Sequence, residues 1–503
     1  MILSRKTGRA EEVCPAWTVG EIATGSWGPP MPLSSLAARG AAPSSASSDT
    51  ASTPSFAAAP RLAGVPMERT HPSIVVDGVG AQEQTLAASN PFWVFFVLNT
   101  GIAPWLSGVI VAGMGLGLGQ AIAVIVLGSF LGAALPAATA LGGPASGLSQ
   151  LEAGRYALGA TGNRLPAFAN WVGAIGWDVI FNSLAAAALV ALVARWGVAA
   201  PMWAVFAGLV VVQLVIGIWG HHLIQITAHW TGLVLGLAFV GLGGAAVLRT
   251  GLPTASGTAG TAEIFAALLL VVSFSITLAP YASDYTRYLP RTTPAGRVFG
   301  SVFSGLSLGS ILFMGFGWAT ASLVAEPSPM GVMAALSDLS GPLAPLVLLV
   351  IAVNSVPCNA VNDNSAAYCL ISAGFRVSRP VAAVIGAALG YVVCLAANES
   401  FIVFFENFLF LFAHGIAPWA AILIVHRAMR GARPNTVPAG FTGGAAIFVG
   451  VTALSILLFS ANSLWTGLLS AAVGGADIGP YLGFVAAGAL EALRLARRPA
   501  DAA

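Results

Sequence analysis

The sequence predicts an all-α protein built into a lipid bilayer, and three observations predict it. First, 57% of its 503 residues are hydrophobic and only 8% are charged, against roughly 25% charged in a soluble globular protein. Second, apolar stretches recur from Asn90 onward, each near the ~20 residues that cross the hydrocarbon core at about 1.5 Å per residue. Third, arginine gathers in alternate gaps between them. One set of gaps holds thirteen, from Arg155 to Arg498, and the opposite set holds only Arg195 and Arg249. Cytoplasmic loops carry the excess of Lys and Arg, so the asymmetry predicts an even number of spans with both termini in the cytoplasm.

Twelve transmembrane helices are expected, over 91–114, 119–142, 166–194, 201–219, 226–248, 262–286, 298–323, 342–373, 380–397, 402–426, 440–460 and 478–494. Before them, residues 1–87 are expected to be a disordered cytoplasmic extension. The stretch from Pro29 to Pro60 is rich in Ser, Ala and Pro and cannot bury enough apolar surface to order itself. Met67 is an alternative start. The net charge of +2 gives no reason to propose nucleic-acid binding, and Cys14, Cys358, Cys369 and Cys394 show no metal-ligand spacing. They read as packing residues. The glycines from Gly113 to Gly119 suit either close helix approach or the turn between the first two spans.

Function is sought where polar or helix-breaking residues sit at depth, because both are costly there. The first span carries Asn99-Thr100-Gly101-Ile102-Ala103-Pro104 and the sixth Ser273-Phe274-Ser275-Ile276-Thr277-Leu278-Ala279-Pro280. Interrupted helices at matching places in two halves point to an inverted-repeat transporter site; two ordinary proline kinks are the alternative. In the third span Trp177 and Phe181 are four apart, as are Asp178 and Asn182 on the adjacent face. An aromatic wall beside a carboxylate and an amide suits a flat, hydrogen-bonding ring.

The eighth span holds Asn354, Asn359, Asn362, Asp363 and Asn364 around Pro357. It lines a cavity, or else is a loop splitting two shorter spans. Asp178 and Glu406 are the candidate proton sites, since buried carboxylates can exchange a proton near neutrality. Asp284, three residues before Arg287, reads as a structural latch. His221, His222 and His229 read as part of a cytoplasmic loop rather than a metal site, because adjacent histidines point to different faces. No nucleophile, phosphate-cradling or paired-carboxylate motif argues for an enzyme.

At these residues the chain resembles the nucleobase–cation symporter family of cytosine/purine, uracil, thiamine, allantoin and hydantoin permeases, and within it the purine–cytosine branch. The resemblance rests on Gly147-Leu148-Ser149-Gln150 with Arg155-Tyr156-Ala157-Leu158-Gly159, on Gly176-Trp177, on the run from Ala279 to Pro290, and on Glu406-Asn407-Phe408. It implies a leucine-transporter-like fold of inverted five-helix repeats plus two C-terminal helices. The core would then be residues 88–430, with 431–503 forming the trailing helices and a cytoplasmic C-terminus. It also implies that Trp177 stacks on the substrate ring and that the eighth-span amides bind it. Where the family places an amide one turn after the tryptophan, this chain has Phe181, with Asn182 one place later. Where purine–cytosine permeases place a clamping aromatic in the sixth span it has Leu278, with Phe274 as the substitute.

The expectation is a proton-coupled importer of a planar nucleobase, cytosine or a purine, working by alternating access and needing no cofactor. Substrate contacts would come from Trp177, Asn182, Asn99, Phe274, Asn354, Asn359 and Asn362. The resemblance also disfavours sodium coupling, since sodium-coupled relatives place two neighbouring hydroxyls in the eighth span where this chain has Ser355 followed by Val356 and Pro357. The rivals are a same-fold importer of allantoin, hydantoin or a vitamin pyrimidine, and a membrane-embedded ring-binding sensor or enzyme.

Overall fold

The structure, a computed structural model, describes residues 79–497 apart from 81, 220, 252–256, 327 and 433–435. The expected N-terminal extension therefore lies almost wholly outside the described residues, as do Met67, Cys14 and the side chains of His221, His222 and His229.

Every regular element among the described residues is helical. A broken rod opens the bundle, α1 (Asn90–Leu98) and α2 (Ile102–Gly113), bent by 54°. Next come α3 (Leu118–Ala140), the short α4 (Gly142–Ser146) and α5 (Gln150–Gly162), then α6 (Arg164–Ala194), α7 (Met202–Trp219) and α8 (His221–Thr250). A second broken rod consists of α9 (Thr261–Ile276), a 3₁₀ turn at Ala279–Tyr281 and α10 (Ala282–Thr286). The chain continues as α11 (Ala295–Thr320), α12 (Pro329–Ser340), α13 (Ala344–Ser372), α14 (Arg379–Ala397) and α15 (Phe401–Arg430), and ends with α16 (Gly443–Phe459) and α17 (Gly479–Ala496). Among the described residues six helical stretches, seven with the bent pair, are long and apolar enough to cross a membrane, and three shorter apolar helices accompany them.

Both breaks fall where the sequence places them, with the same local chemistry. In the first rod Gly101 adopts φ 106°, a conformation that costs a residue with a Cβ. Pro104 falls in the first turn of α2, where its missing N–H is no loss. The Thr100 hydroxyl donates to the Val97 carbonyl at 2.8 Å, and in the second rod the Thr277 hydroxyl donates to the Phe274 carbonyl at 2.7 Å. Each hydroxyl donates to the carbonyl three residues back at the interruption, where an apolar surrounding offers the main chain no water.

The structure decides between several readings and corrects one, the histidine loop. The polar stretch from Asn354 to Ser365 is continuous α13, not the alternative loop, and its Asn359 and Asn362 amides find acceptors on α6. The backbone from His221 is helical rather than looped. The glycines around Gly115 form the turn between α2 and α3, with Gly115 at φ 79°. Helix α12 was not read as an element, although Ser328 caps it, accepting from the Gly331 N–H at 3.1 Å, with Pro329 in its first turn.

Helix α11 lies along both pieces of the first rod. A Cβ at Gly305 would strike the Phe92 carbonyl, one at Gly309 would strike Asn99, and one at Gly317 the Trp105 carbonyl. Small residues are what let helix backbones approach closely where hydrophobic driving force between helices is absent.

Candidate functional site

Helix α6 carries two functional faces. On the first, Trp177 stacks on Phe181 with ring centroids 5.8 Å apart and 29° between planes. Phe274 of α9 meets the indole edge-on at 5.4 Å and 90°, and Phe408 of α15 does so at 5.7 Å and 85°. Phe404 and Phe412, one turn to either side on α15, stack on Phe408 at 6.2 and 5.6 Å. Glycine makes this approach possible, since a Cβ at Gly173 would enter the Phe412 ring and one at Gly176 the Phe408 ring. Phe274 is buried, while Trp177, Phe181 and Phe408 each keep some accessible surface. The result is a wall of aromatic faces and edges, suited to hold a flat ring by stacking and edge contacts.

The second face is polar and meets α13, which runs antiparallel to α6. The Asn170 amide donates to the Tyr281 hydroxyl at the second helix break (3.0 Å) and to Cys369 Sγ (3.2 Å). One turn on, Asn362 Nδ2 reaches both the Ala174 carbonyl (2.6 Å) and Asp178 Oδ1 (2.7 Å). Asn359 Nδ2 donates to the Asp178 carbonyl at 3.3 Å. Asp178 is 3% exposed and its Oδ2 receives no donor. The Asp363 carboxyl, 5% exposed, lies within hydrogen-bonding reach of it.

The remaining candidates are distributed as follows. Asn182 Oδ1 accepts from Gln213 of α7 at 2.6 Å, so its carbonyl is committed away from the aromatic wall. Asn99 is fully buried at the first break, with neither amide atom partnered. Asn354 is half-buried, its amide 3.9 Å from Cys358 Sγ one turn along α13. Glu406 stands in the second turn of α15 beside Asn407, whose amide donates to Ser463 in the α16–α17 connection at 2.6 Å. That places it toward the end of α15 opposite Arg427 and Arg430.

Asp284 does close a latch, onto α5. Its Oδ1 accepts from the Gln150 N–H at 2.8 Å while Gln150 Oε1 accepts from the Ser283 hydroxyl at 2.6 Å. Next to it, burial pushes the Glu152 carboxyl above its ordinary range against the pull of the Arg155 guanidinium, 3.0 Å away. Phe408 and Asp363 were missing from the expected site. The spacing of Phe404, Phe408 and Phe412 with Gly173 and Gly176 was the signal for the first. Nothing local distinguished Asp363 from the polar residues around it.

Residues 78–442 match the model of a family described as permeases for cytosine/purines, uracil, thiamine and allantoin. The putative purine-cytosine permease YxlA of Bacillus subtilis is 28% identical over 365 residues, covering 70% of this chain and 78% of that one. The purine-cytosine permease FCY2 of Saccharomyces cerevisiae is 24% identical over 403 residues, covering 73% and 75%. Among solved structures, inward-facing Mhp1 superposes with a TM-score of 0.69 at 18% identity, over 83% of this chain and 92% of that one. A closed form of Mhp1 with bromovinylhydantoin bound gives 0.65. A manganese transporter of Eremococcus coleocola gives 0.52 at 15% identity over 82% and 95%, so the fold is shared with carriers of unlike solutes. With the family model spanning most of the chain, and relatives that are permeases rather than enzymes, this multi-pass membrane protein belongs to the cytosine/purine, uracil, thiamine and allantoin permease family.

Proposed function

We propose that the chain is a secondary transporter that imports a planar nucleobase, cytosine or a purine, coupled to protons, through the cytoplasmic membrane. The reading includes twelve spans with both termini in the cytoplasm, and inverted five-helix repeats followed by two trailing helices. The arginine asymmetry supports the orientation, and the matched chemistry of the two helix breaks supports the repeat. One observation carries the substrate class. Trp177 and Phe181 of α6, with Phe274 of α9 and Phe408 of α15, form a wall that adjoins a buried carboxylate and amides, a pairing of stacking surface with edge-reading groups. Trp177 would stack on the ring. Phe274 would clamp it, substituting for the aromatic that the branch carries where this chain has Leu278. Asn99, Asn354 and the free Oδ1 of Asn359 would contact its edges. Proton binding at Asp178 or Glu406 would bias the inward–outward equilibrium, by no more than the differential affinity for the two states.

Radiolabelled uptake into proteoliposomes against a nucleobase panel tests the reading, under an imposed pH gradient with sodium replaced by choline. Saturable, gradient-driven cytosine or purine uptake is expected. Base–aromatic stacking is worth about 1–3 kcal/mol, so Trp177→Ala should weaken apparent affinity about tenfold or more at normal expression. Unchanged affinity removes Trp177 from the site. Binding without counterflow would instead support a ring-binding sensor. The printed likeness to Mhp1 with a bound hydantoin favours a second reading, a five-membered cyclic amide as solute, which hydantoin and allantoin competition in the same panel would reveal.

A further inference from the structure

Carboxylates buried in the α6–α13 seam are unusual in what they lack. Asp178 Oδ1 has one donor, Asn362 Nδ2 at 2.7 Å. Its Oδ2 has none, and the Asp363 carboxyl lies within hydrogen-bonding reach of the Asp178 carboxyl. Asn359 Oδ1, fully buried beside them, also has none. An ionised carboxylate only accepts hydrogen bonds. Two of them within hydrogen-bonding reach, away from water, repel each other and leave acceptors unanswered. One proton between the two oxygens removes the repulsion and supplies the missing donor.

The described side chains around the pair offer no other remedy. Among the described residues no Lys, Arg or His pairs with either carboxyl. Helix α14 presents the Cys394 thiol, 3.9 Å from the Val179 carbonyl, and Gly390, against which Asp178 Cβ packs. From α7 Gln213 is spent on Asn182. A metal cation suits the place poorly, because the Asn362 amide points its N–H at Oδ1.

We infer that Asp178 and Asp363 share a single proton, and that this shared proton is the one moved with the substrate. The inference rests on the proton-coupled reading above and assigns its residue: a pair spanning two helices rather than Asp178 or Glu406 alone. Asp178 directly follows Trp177, so a ring seated on the indole and a proton seated on the pair report to the same turn of α6. Release passes the proton from one carboxyl oxygen to a water molecule, giving hydronium and leaving both carboxyls ionised. Asn362 and Asn359 are positioning residues, holding Asp178 toward the pair.

The experiment compares wild type, Asp178→Asn, Asp363→Asn and the Asp178→Asn/Asp363→Asn double variant in proteoliposomes. Labelled cytosine is the probe. With one proton per base, a gradient of one pH unit sustains about tenfold accumulation. The wild type should approach that figure. Each Asp→Asn variant should stop at onefold while still exchanging labelled for unlabelled cytosine in counterflow. Gradient-driven accumulation in either Asp→Asn variant overturns the inference. A wild type that transports without regard to pH overturns the proton-coupled reading and the coupling role together. Infrared spectra of the unliganded protein give a readout that survives failure of transport or of cytosine as solute. The wild type minus double-variant difference should contain one protonated-carboxyl band at neutral pH. Its absence means that no proton is shared.

Discussion

Two seams of this molecule bury acidic side chains to the same depth and treat them oppositely. Where α15 meets α16 and α17, the oxygens of both buried carboxylates are answered. Asp477, 2% exposed, takes the Ala461 N–H at 3.1 Å, the Gly479 N–H at 3.2 Å and His414 Nε2 at 3.2 Å. The other nitrogen of His414 meets the Ser455 hydroxyl at 2.6 Å. Glu491 is fully buried against Arg494 at 2.6 Å and His426 at 3.2 Å. Where α6 meets α13, by contrast, two carboxyls face one another with one amide donor between them. A fully satisfied acid fixes a geometry, whereas an under-supplied one is sensitive to whatever brings it a donor. The Ser455–His414–Asp477 set has the composition of a hydrolase triad, but its members are 5%, 0% and 2% exposed, and it reads as a clamp on the trailing helices.

The contrast can be broken by substitution. The largest effect is expected at Asp477→Ala, which strands His414 and two backbone donors. Loss of one partner from a buried pair costs about 3–5 kcal/mol, so thermal unfolding in detergent should shift sharply downward. Glu491→Gln should cost less, about 1–3 kcal/mol for hydrogen bonds to charged groups, because Arg494 and His426 retain access to solvent at 17% and 12% exposure. Asp178→Asn should have the smallest effect on stability, within about 1 kcal/mol or slightly stabilising, since the amide supplies the N–H that Asp363 lacks. An Asp178→Asn protein that melts as early as Asp477→Ala would erase the distinction between the seams.

How far the sequence reveals this arrangement follows from what is local and what is not. The breaks at Asn99–Gly101 and Thr277–Pro280 depend on glycine, proline and hydroxyls within a few residues, and they were legible. The two faces of α6 follow from a period of 3.6 residues, and Trp177–Phe181 stack as spacing demands. Spacing names a face but not its neighbour. Asn182 was expected beside the ring and instead bonds Gln213 of α7. Asp363 gains meaning only because antiparallel packing brings it to Asp178, 185 positions away in the chain. The short α12 escaped notice because it is half the length of a span, although its Ser328 cap and Pro329 were in plain view.

The glycines of α11 bear on motion as well as on closeness. Gly305 and Gly309 lie under the end of α1, and Gly317 under α2. The broken rod therefore rests on bare main chain along both its pieces. Interdigitated side chains hold neighbouring helices in discrete registers, as teeth hold gears; a toothless track lets each piece slide or tilt by its own amount. One methyl group at position 309, pressed against Asn99, would be a stop in that track.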